Sequence, residues 1–163
     1  MSEMQTVLVV DDTPENLDLM RAVLSHTYKV KVAINGEAAL KLVAASPPDI
    51  VLLDVMMPGI DGYEVCRRLK ADPTRRHVPV ILVSALSETS DDGQGFAVGA
   101  VDYISKPVSG PMVLARVRTH LALARLEKAA RRALIALEGG GATPAEIAAV
   151  LQAALPANKD DAP

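Results

Sequence analysis

Five short runs of β-branched and aliphatic residues recur along the 163-residue chain, each separated from the next by a helix-length segment. The runs are Thr6–Val10, Tyr28–Ala33, Ile50–Leu53, Val80–Val83 and Val101–Ile104, and the helical segments begin near Pro14, Gly36, Gly62, Ser87 and Ser109. Alternation of this kind restricts a chain to right-handed βαβ units, because parallel neighbours need a crossover and a helix supplies it. Two runs, VLVV and IVLL, are unbroken apolar stretches, as suits central strands covered on both faces. YKVKVA alternates, as suits a strand nearer an edge. The expectation is an α/β domain built on a parallel five-stranded sheet.

Composition sets the kind of core. Half of the residues are apolar, but the chain has one Phe, three Tyr and no Trp, so the core must be aliphatic and alanine-rich. The length accommodates one ordinary domain and an appendage. A net charge of −3 gives no electrostatic argument for nucleic acid or an anionic membrane, and neither is expected as a partner. Cys66 is the single cysteine, which excludes an internal disulfide and fits a reducing cytosol. No run of about 18 apolar residues occurs. The start, MSEMQTVLVVDD, lacks a basic stretch followed by a cleavable apolar one. The chain reads as soluble and cytoplasmic.

Asp12-Thr13-Pro14 places capping side chains ahead of a first-turn proline. Ser46-Pro47-Pro48 ends the second helix, since proline disfavours helix in the residue before it. The segment from Ser87 carries Gly93 and Gly95, each costing roughly 1 kcal/mol in a helix interior, and is expected to be soft. The helix from Ser109 can run to Glu138, where Gly139-Gly140-Gly141 stops it. At about 1.5 Å per residue it outreaches a sheet of five-residue strands, so its second half is expected to protrude. Thr143-Pro144-Ala145-Glu146 is a capping-box pattern opening a short helix through Leu155. The tail PANKDDAP reads as frayed.

The chemistry gathers at strand ends. Asp11 and Asp12 follow VLVV, Asp54 follows IVLL, Ser84 follows VILV and Lys106 lies just after DYIS. In a parallel sheet these ends share the edge where open α/β folds bind ligands. Any one of these aspartates alone is ordinarily a cap or turn residue. Together, three carboxylates repel one another and one takes up a proton unless a cation intervenes. Hard oxygen ligands favour Mg²⁺, and a lysine adds a positive contact for a phosphoryl group. A carboxylate can be the nucleophile of an aspartyl phosphate, and phosphoryl transfer needs mainly positioning and charge stabilisation.

The segments VLVVDD (7–12), DIVLLDVMMPGIDGYEV (49–65), VPVILVSA (78–85) and GAVDYISKP (99–107) resemble the receiver domain of two-component response regulators. The resemblance covers about the first 122 residues. It implies a flavodoxin-like doubly wound sheet of order 2-1-3-4-5, here with an extended C-terminal helix. It also implies a phosphoacceptor in a phosphorelay rather than an enzyme acting on a separate substrate. Asp54 would take the phosphoryl group from a histidine kinase or phosphotransfer protein. Asp12 would ligate Mg²⁺ with Asp54 and the Met56 backbone carbonyl, and Asp11 would act nearby through water. Ser84 would hydrogen-bond the phosphoryl group and Lys106 would pair with it. Tyr103 would turn inward as Ser84 moves. The Lys106-Pro107 bond is expected to be cis. Ser84 stands where threonine is common, and Val108 where phenylalanine is frequent.

CRRLKADPTRRHVPVI and VLARVRTHLALARLE resemble receivers attached to cyclic-di-GMP cyclases and phosphodiesterases. The chain is then either a stand-alone receiver or the receiver part of a larger regulator. A haloacid-dehalogenase-type phosphatase also uses Mg²⁺ and a nucleophilic aspartate, but places it in a DxD motif after the first strand. The division expected is residues 1–122 as receiver, 123–138 as continuation of the long helix, and 139–163 as break, short helix and tail. Leu123, Leu126, Ala130, Ala133 and Leu137 repeat at three-four spacing, a seam for a homodimer or a downstream protein target. Ser109–Glu138 holds six Arg or Lys and two Glu, a net of +4. His26, His77 and His120 fall outside the cleft, and Cys66 reads as a structural thiol.

Overall fold

The computed structural model describes residues 3–85 and 97–155. The softened helix expected from Ser87, with Gly93 and Gly95, falls largely in residues 86–96, outside those described, as does the tail after Leu155. The elements are β1 (Thr6–Val10), α1 (Pro14–Leu24), β2 (Lys29–Ala33), α2 (Gly36–Ala45), β3 (Ile50–Asp54), α3 (Gly62–Ala71), β4 (Val80–Ala85), β5 (Asp102–Lys106), α4 (Gly110–Glu138) and α5 (Pro144–Ala154). Contacts divide the chain into two units, Met1–Val117 and Arg118–Pro163.

In the first unit the five strands form one parallel sheet of order β2-β1-β3-β4-β5, as expected. The unbroken apolar runs are central: every residue of β3 is buried, while β2 lies at an edge with Lys29 exposed. On one face Leu8, Val10, Val51, Leu53, Val80 and Leu82 pack with Ala39 and Val43 of α2 and Val65, Cys66 and Leu69 of α3. Alternate residues such as Val9, Leu52 and Ile81 point to the other face by the two-residue period of a strand. Each fully buried Val or Leu contributes roughly 1.5–3 kcal/mol relative to exposure.

β3, β4 and β5 each run past their expected ends. Asp54 pairs with Val83, Ser84 with Ser105 and Ala85 with Lys106, so the polar residues belong to the ladder. Asn35 and Asp61 cap α2 and α3 by accepting from Ala38 and Glu64 N–H at 2.8 Å each. The cap expected at α1 is corrected: Thr13 is the N-cap and Pro14 follows, but the Thr13 side chain makes no capping bond. Its N–H is instead held by the Asp11 carboxylate at 2.9 Å.

In the second unit α4 ends at Glu138, followed by the glycines, with Gly140 at φ +67°. Thr143 and Glu146 form the capping box that opens α5. Of the expected seam, Ala133 is buried, whereas Leu123 and Leu137 are exposed. Ala129, one residue from the seam's Ala130, is the other alanine of α4 that is covered. No described helix is long and apolar enough to cross a membrane.

Candidate functional site

Parallel strands deliver their carboxyl ends to one edge, and the expected polar residues meet there. Asp11, Asp12 and Asp54 each place a carboxylate oxygen within 4.8 Å of the others. Asp54 is 3% exposed and Asp11 is 6%, whereas Asp12 faces solvent. Lys106 Nζ donates to Asp54 Oδ2 at 3.0 Å and lies 3.8 Å from Asp11 Oδ2. The Lys106-Pro107 bond is cis. Met56, on the turn after β3, donates its N–H to Asp54 Oδ1 at 3.3 Å and leaves its side chain exposed.

That turn depends on glycine. Gly59 has φ +80°, a conformation side chains disfavour. A Cβ on Gly62 would overlap the Asp54 backbone oxygen. Glycine therefore lets α3 start directly against the backbone of Asp54 and Val55, with Gly62 N–H donating to Val55 O at 2.9 Å.

Electrostatics at the cluster are unfavourable without a cation. Burial pushes the Asp54 carboxyl above its ordinary range; the Lys106 hydrogen bond opposes this, and the neighbouring Asp11 charge adds to it. Asp11 is better compensated: Oδ1 accepts from Thr13 N–H, and Oδ2 accepts from Asn16 Nδ2 at 3.0 Å. The donor set fits a hard divalent cation, since three carboxylates lie within reach of one ion.

Ser84 is fully buried on β4, one residue past the partner of Asp54, and its hydroxyl has no hydrogen-bond partner among the described residues. A buried hydroxyl left so costs about 1–3 kcal/mol, a cost that a phosphoryl oxygen would remove. Tyr103, on β5, is half-buried, and its hydroxyl lies 2.6 Å from that of Tyr63. A cleft of about 380 Å³ opens beside Asp12, lined among others by Ile34, Asn35, Pro58 and Ile60.

Two residues escape a reading of strand ends. Asn16 lies in the first turn of α1, where a polar side chain reaches back to the preceding strand end. Tyr63 opens α3 as a buried aromatic with a polar tip. Periodicity alone assigns Tyr63 to the core. The histidines stay out of the cluster: His26 and His77 are exposed and His120 is half-buried on α4. Cys66 is buried, its thiol donates to Val98 O at 3.5 Å, and burial pushes it up to about 11. That is a structural thiol rather than a nucleophile.

Comparison with known proteins adds an independent line. A family model described as the response regulator receiver domain matches residues 7–118. Response regulator PleD of Caulobacter vibrioides is 50% identical over 114 residues, 69% of this chain and 25% of that protein. A probable cyclic di-GMP phosphodiesterase of Vibrio cholerae is 46% identical over 116 residues, 71% of this chain and 26% of that protein. The chain thus spans about a quarter of the length of these two relatives. Among solved structures, a putative response regulator from Chloroflexus aurantiacus is similar, with TM-score 0.71 and 35% identity, covering 74% of this chain and 99% of that one.

Proposed function

The chain belongs to the response regulator receiver domain family, and from that membership we propose that it is a phosphoacceptor switch in a two-component phosphorelay. Receiver domains bind Mg²⁺ at an acidic pocket and interact with histidine kinases and effector domains. The observation that carries the reading here is Asp54, a buried carboxylate held 3.0 Å from Lys106 among two further aspartates and beside a Ser84 hydroxyl that has no partner among the described residues.

An Asp54 oxygen attacks the phosphorus of a phosphohistidine on a sensor kinase or phosphotransfer protein. A P–O bond forms as the donor's P–N bond breaks. Lys106 stays as the ionic partner of the transferred group, and Ser84 donates its hydroxyl to a phosphoryl oxygen. Asp12, Asp54 and the Met56 carbonyl would hold Mg²⁺, with Asp11 acting through water; the ion, when bound, neutralises charge on the phosphoryl oxygens. Catalysis by the chain is limited to its own phosphorylation and dephosphorylation.

Ser84 and Tyr103 carry the new state outward as altered protein contacts. The receiver ends near residue 122. The exposed leucines of α4 form a homodimer surface. Sedimentation of the full chain against one ending near Leu121 tests that: an unchanged monomer in both sinks it. The proposed setting is cytoplasmic. Incubation with acetyl phosphate and Mg²⁺ is expected to add one phosphoryl mass to the wild type and none to Asp54→Asn. Labelling that persists in the variant refutes the assignment.

A second reading is favoured by the likeness to the probable cyclic di-GMP phosphodiesterase: the chain serves as the receiver part of a regulator whose output is cyclic-di-GMP turnover. Co-purification with a cyclic-di-GMP cyclase or phosphodiesterase supports it, and partners of another class count against it.

A further inference from the structure

Tyr63 and Tyr103 come from different elements, the first turn of α3 and the second residue of β5, yet their hydroxyl oxygens lie 2.6 Å apart. Tyr63 is 6% exposed and belongs to the core cluster, and the Tyr103 ring packs against that same cluster. The bond is partly buried, which makes it stronger than a fully exposed one, and leaving the hydroxyl of buried Tyr63 unpaired is costly.

The elements it joins are those that build the acceptor site. Gly62, just before Tyr63, bonds to Val55, the residue after Asp54. Lys106, three residues beyond Tyr103, bonds to Asp54 itself. The chain of contacts closes: from Asp54 through Val55 and Gly62 to Tyr63, across to Tyr103, along β5 to Lys106 and back to Asp54.

We propose that Tyr63 is a positioning residue that latches Tyr103 inward, so that the inward arrangement is already populated before a phosphoryl group arrives. The proposal rests on the reading of Tyr103 as a switch residue. It makes phosphorylation a reinforcement of a pre-existing state rather than its sole cause. Tyr63→Phe keeps the ring and its packing and removes only the oxygen. Losing one ordinary hydrogen bond changes the inward-to-outward ratio by about fivefold.

The test uses the full chain with ¹³C-labelled tyrosine. The three tyrosines, Tyr28, Tyr63 and Tyr103, are assigned by substitution. Exposure of the Tyr103 ring is read as broadening by a soluble paramagnetic agent, with and without beryllofluoride plus Mg²⁺. The wild-type ring is expected to be protected in both conditions. In Tyr63→Phe it broadens more without the probe and regains protection with it. Equal protection in the two proteins before the probe is added overturns the latch. A second measurement needs no variant: slow exchange of the Tyr63 and Tyr103 hydroxyl protons with water supports the bond, and exchange as fast as that of free tyrosine overturns it. Acetyl phosphate labelling is run alongside. If neither protein gains a phosphoryl mass, the acceptor reading fails, while probe-free protection still decides the latch.

Discussion

Leu52 and Asp54 lie two residues apart on β3, are almost equally buried, and do opposite things. The body of the strand is packed: Val51, Leu52 and Leu53 are at most 1% exposed, and Val51 and Leu53 belong to the apolar cluster under α2 and α3. The end of the strand is under electrostatic load. It holds a carboxylate pushed toward its neutral form by burial, beside two further carboxylates after β1 and, on β4, a hydroxyl without a partner among the described residues. The sheet body supplies stability, and its carboxyl edge keeps an arrangement that burial and like charge disfavour.

The largest effect expected is in the body. Leu52→Ala is predicted to lose about 2–5 kcal/mol, the cost of transfer plus a cavity. Urea denaturation measures it, and a loss below about 1 kcal/mol would mean that the body is looser than its burial implies. Leu137→Ala on the exposed face of α4 is the internal control and is predicted to stay within about 0.5 kcal/mol for the monomer.

Next comes the support of the edge. Asn16→Ala frees the Asp11 carboxylate from its side-chain donor. Outer-shell partners of this kind typically set metal affinity, so a loss of about tenfold in Mg²⁺ affinity is predicted, read by calorimetry on the unphosphorylated protein. Unchanged affinity would place Asn16 with the structural residues.

Removing the load itself has the opposite sign from Leu52→Ala. Burial raises the Asp54 carboxyl, so the fold favours its neutral form; the charge present at neutral pH therefore costs stability, and that cost fades as pH falls through the raised folded value and is gone below the ordinary carboxylate value. Asp54→Asn is predicted to raise Tm of the Mg²⁺-free protein by about 3 °C at pH 7, as roughly 1 kcal/mol does in a chain of this length. A lower Tm would mean that the Lys106 contact outweighs desolvation, and the contrast along β3 would collapse.

How legible this was in the sequence differs by region. The central place of β1 and β3 follows from their unbroken apolar runs, whereas the sheet order follows from the resemblance to receiver domains rather than from the runs. The convergence of Asp11, Asp12, Asp54, Ser84 and Lys106 follows from topology, because parallel strands bring all carboxyl ends together. Strand ends were placed too early, since Asp54, Ser84 and Lys106 look like loop residues although their backbones pair in the ladder. Asn16 and Tyr63 were missed because their roles depend on side chains meeting across elements, a contact no periodicity encodes. On α4 Ala133 is covered and Leu137 is exposed, because a pattern of small and large apolar residues does not say which stripe the chain covers for itself.

The smallest effect at neutral pH belongs to Cys66, and it reports on the body from within. The thiol is raised from 9.0 to about 11 by burial. A group whose folded value lies above its unfolded one stabilises the fold fully below the unfolded value, and that contribution is lost as pH rises toward the folded one. At pH 7 both states hold the proton, so Cys66→Ala shows only its packing loss. Between pH 9 and 11 the unfolded chain ionises first, and the wild type is predicted to lose more stability than Cys66→Ala over that interval. Native Cys66 is likewise expected to resist alkylation at pH 8 and to react readily in urea. Parallel pH profiles for the two proteins, or rapid native alkylation, would show that solvent reaches α3 and that the strand bodies are no more closed than the cleft at their ends.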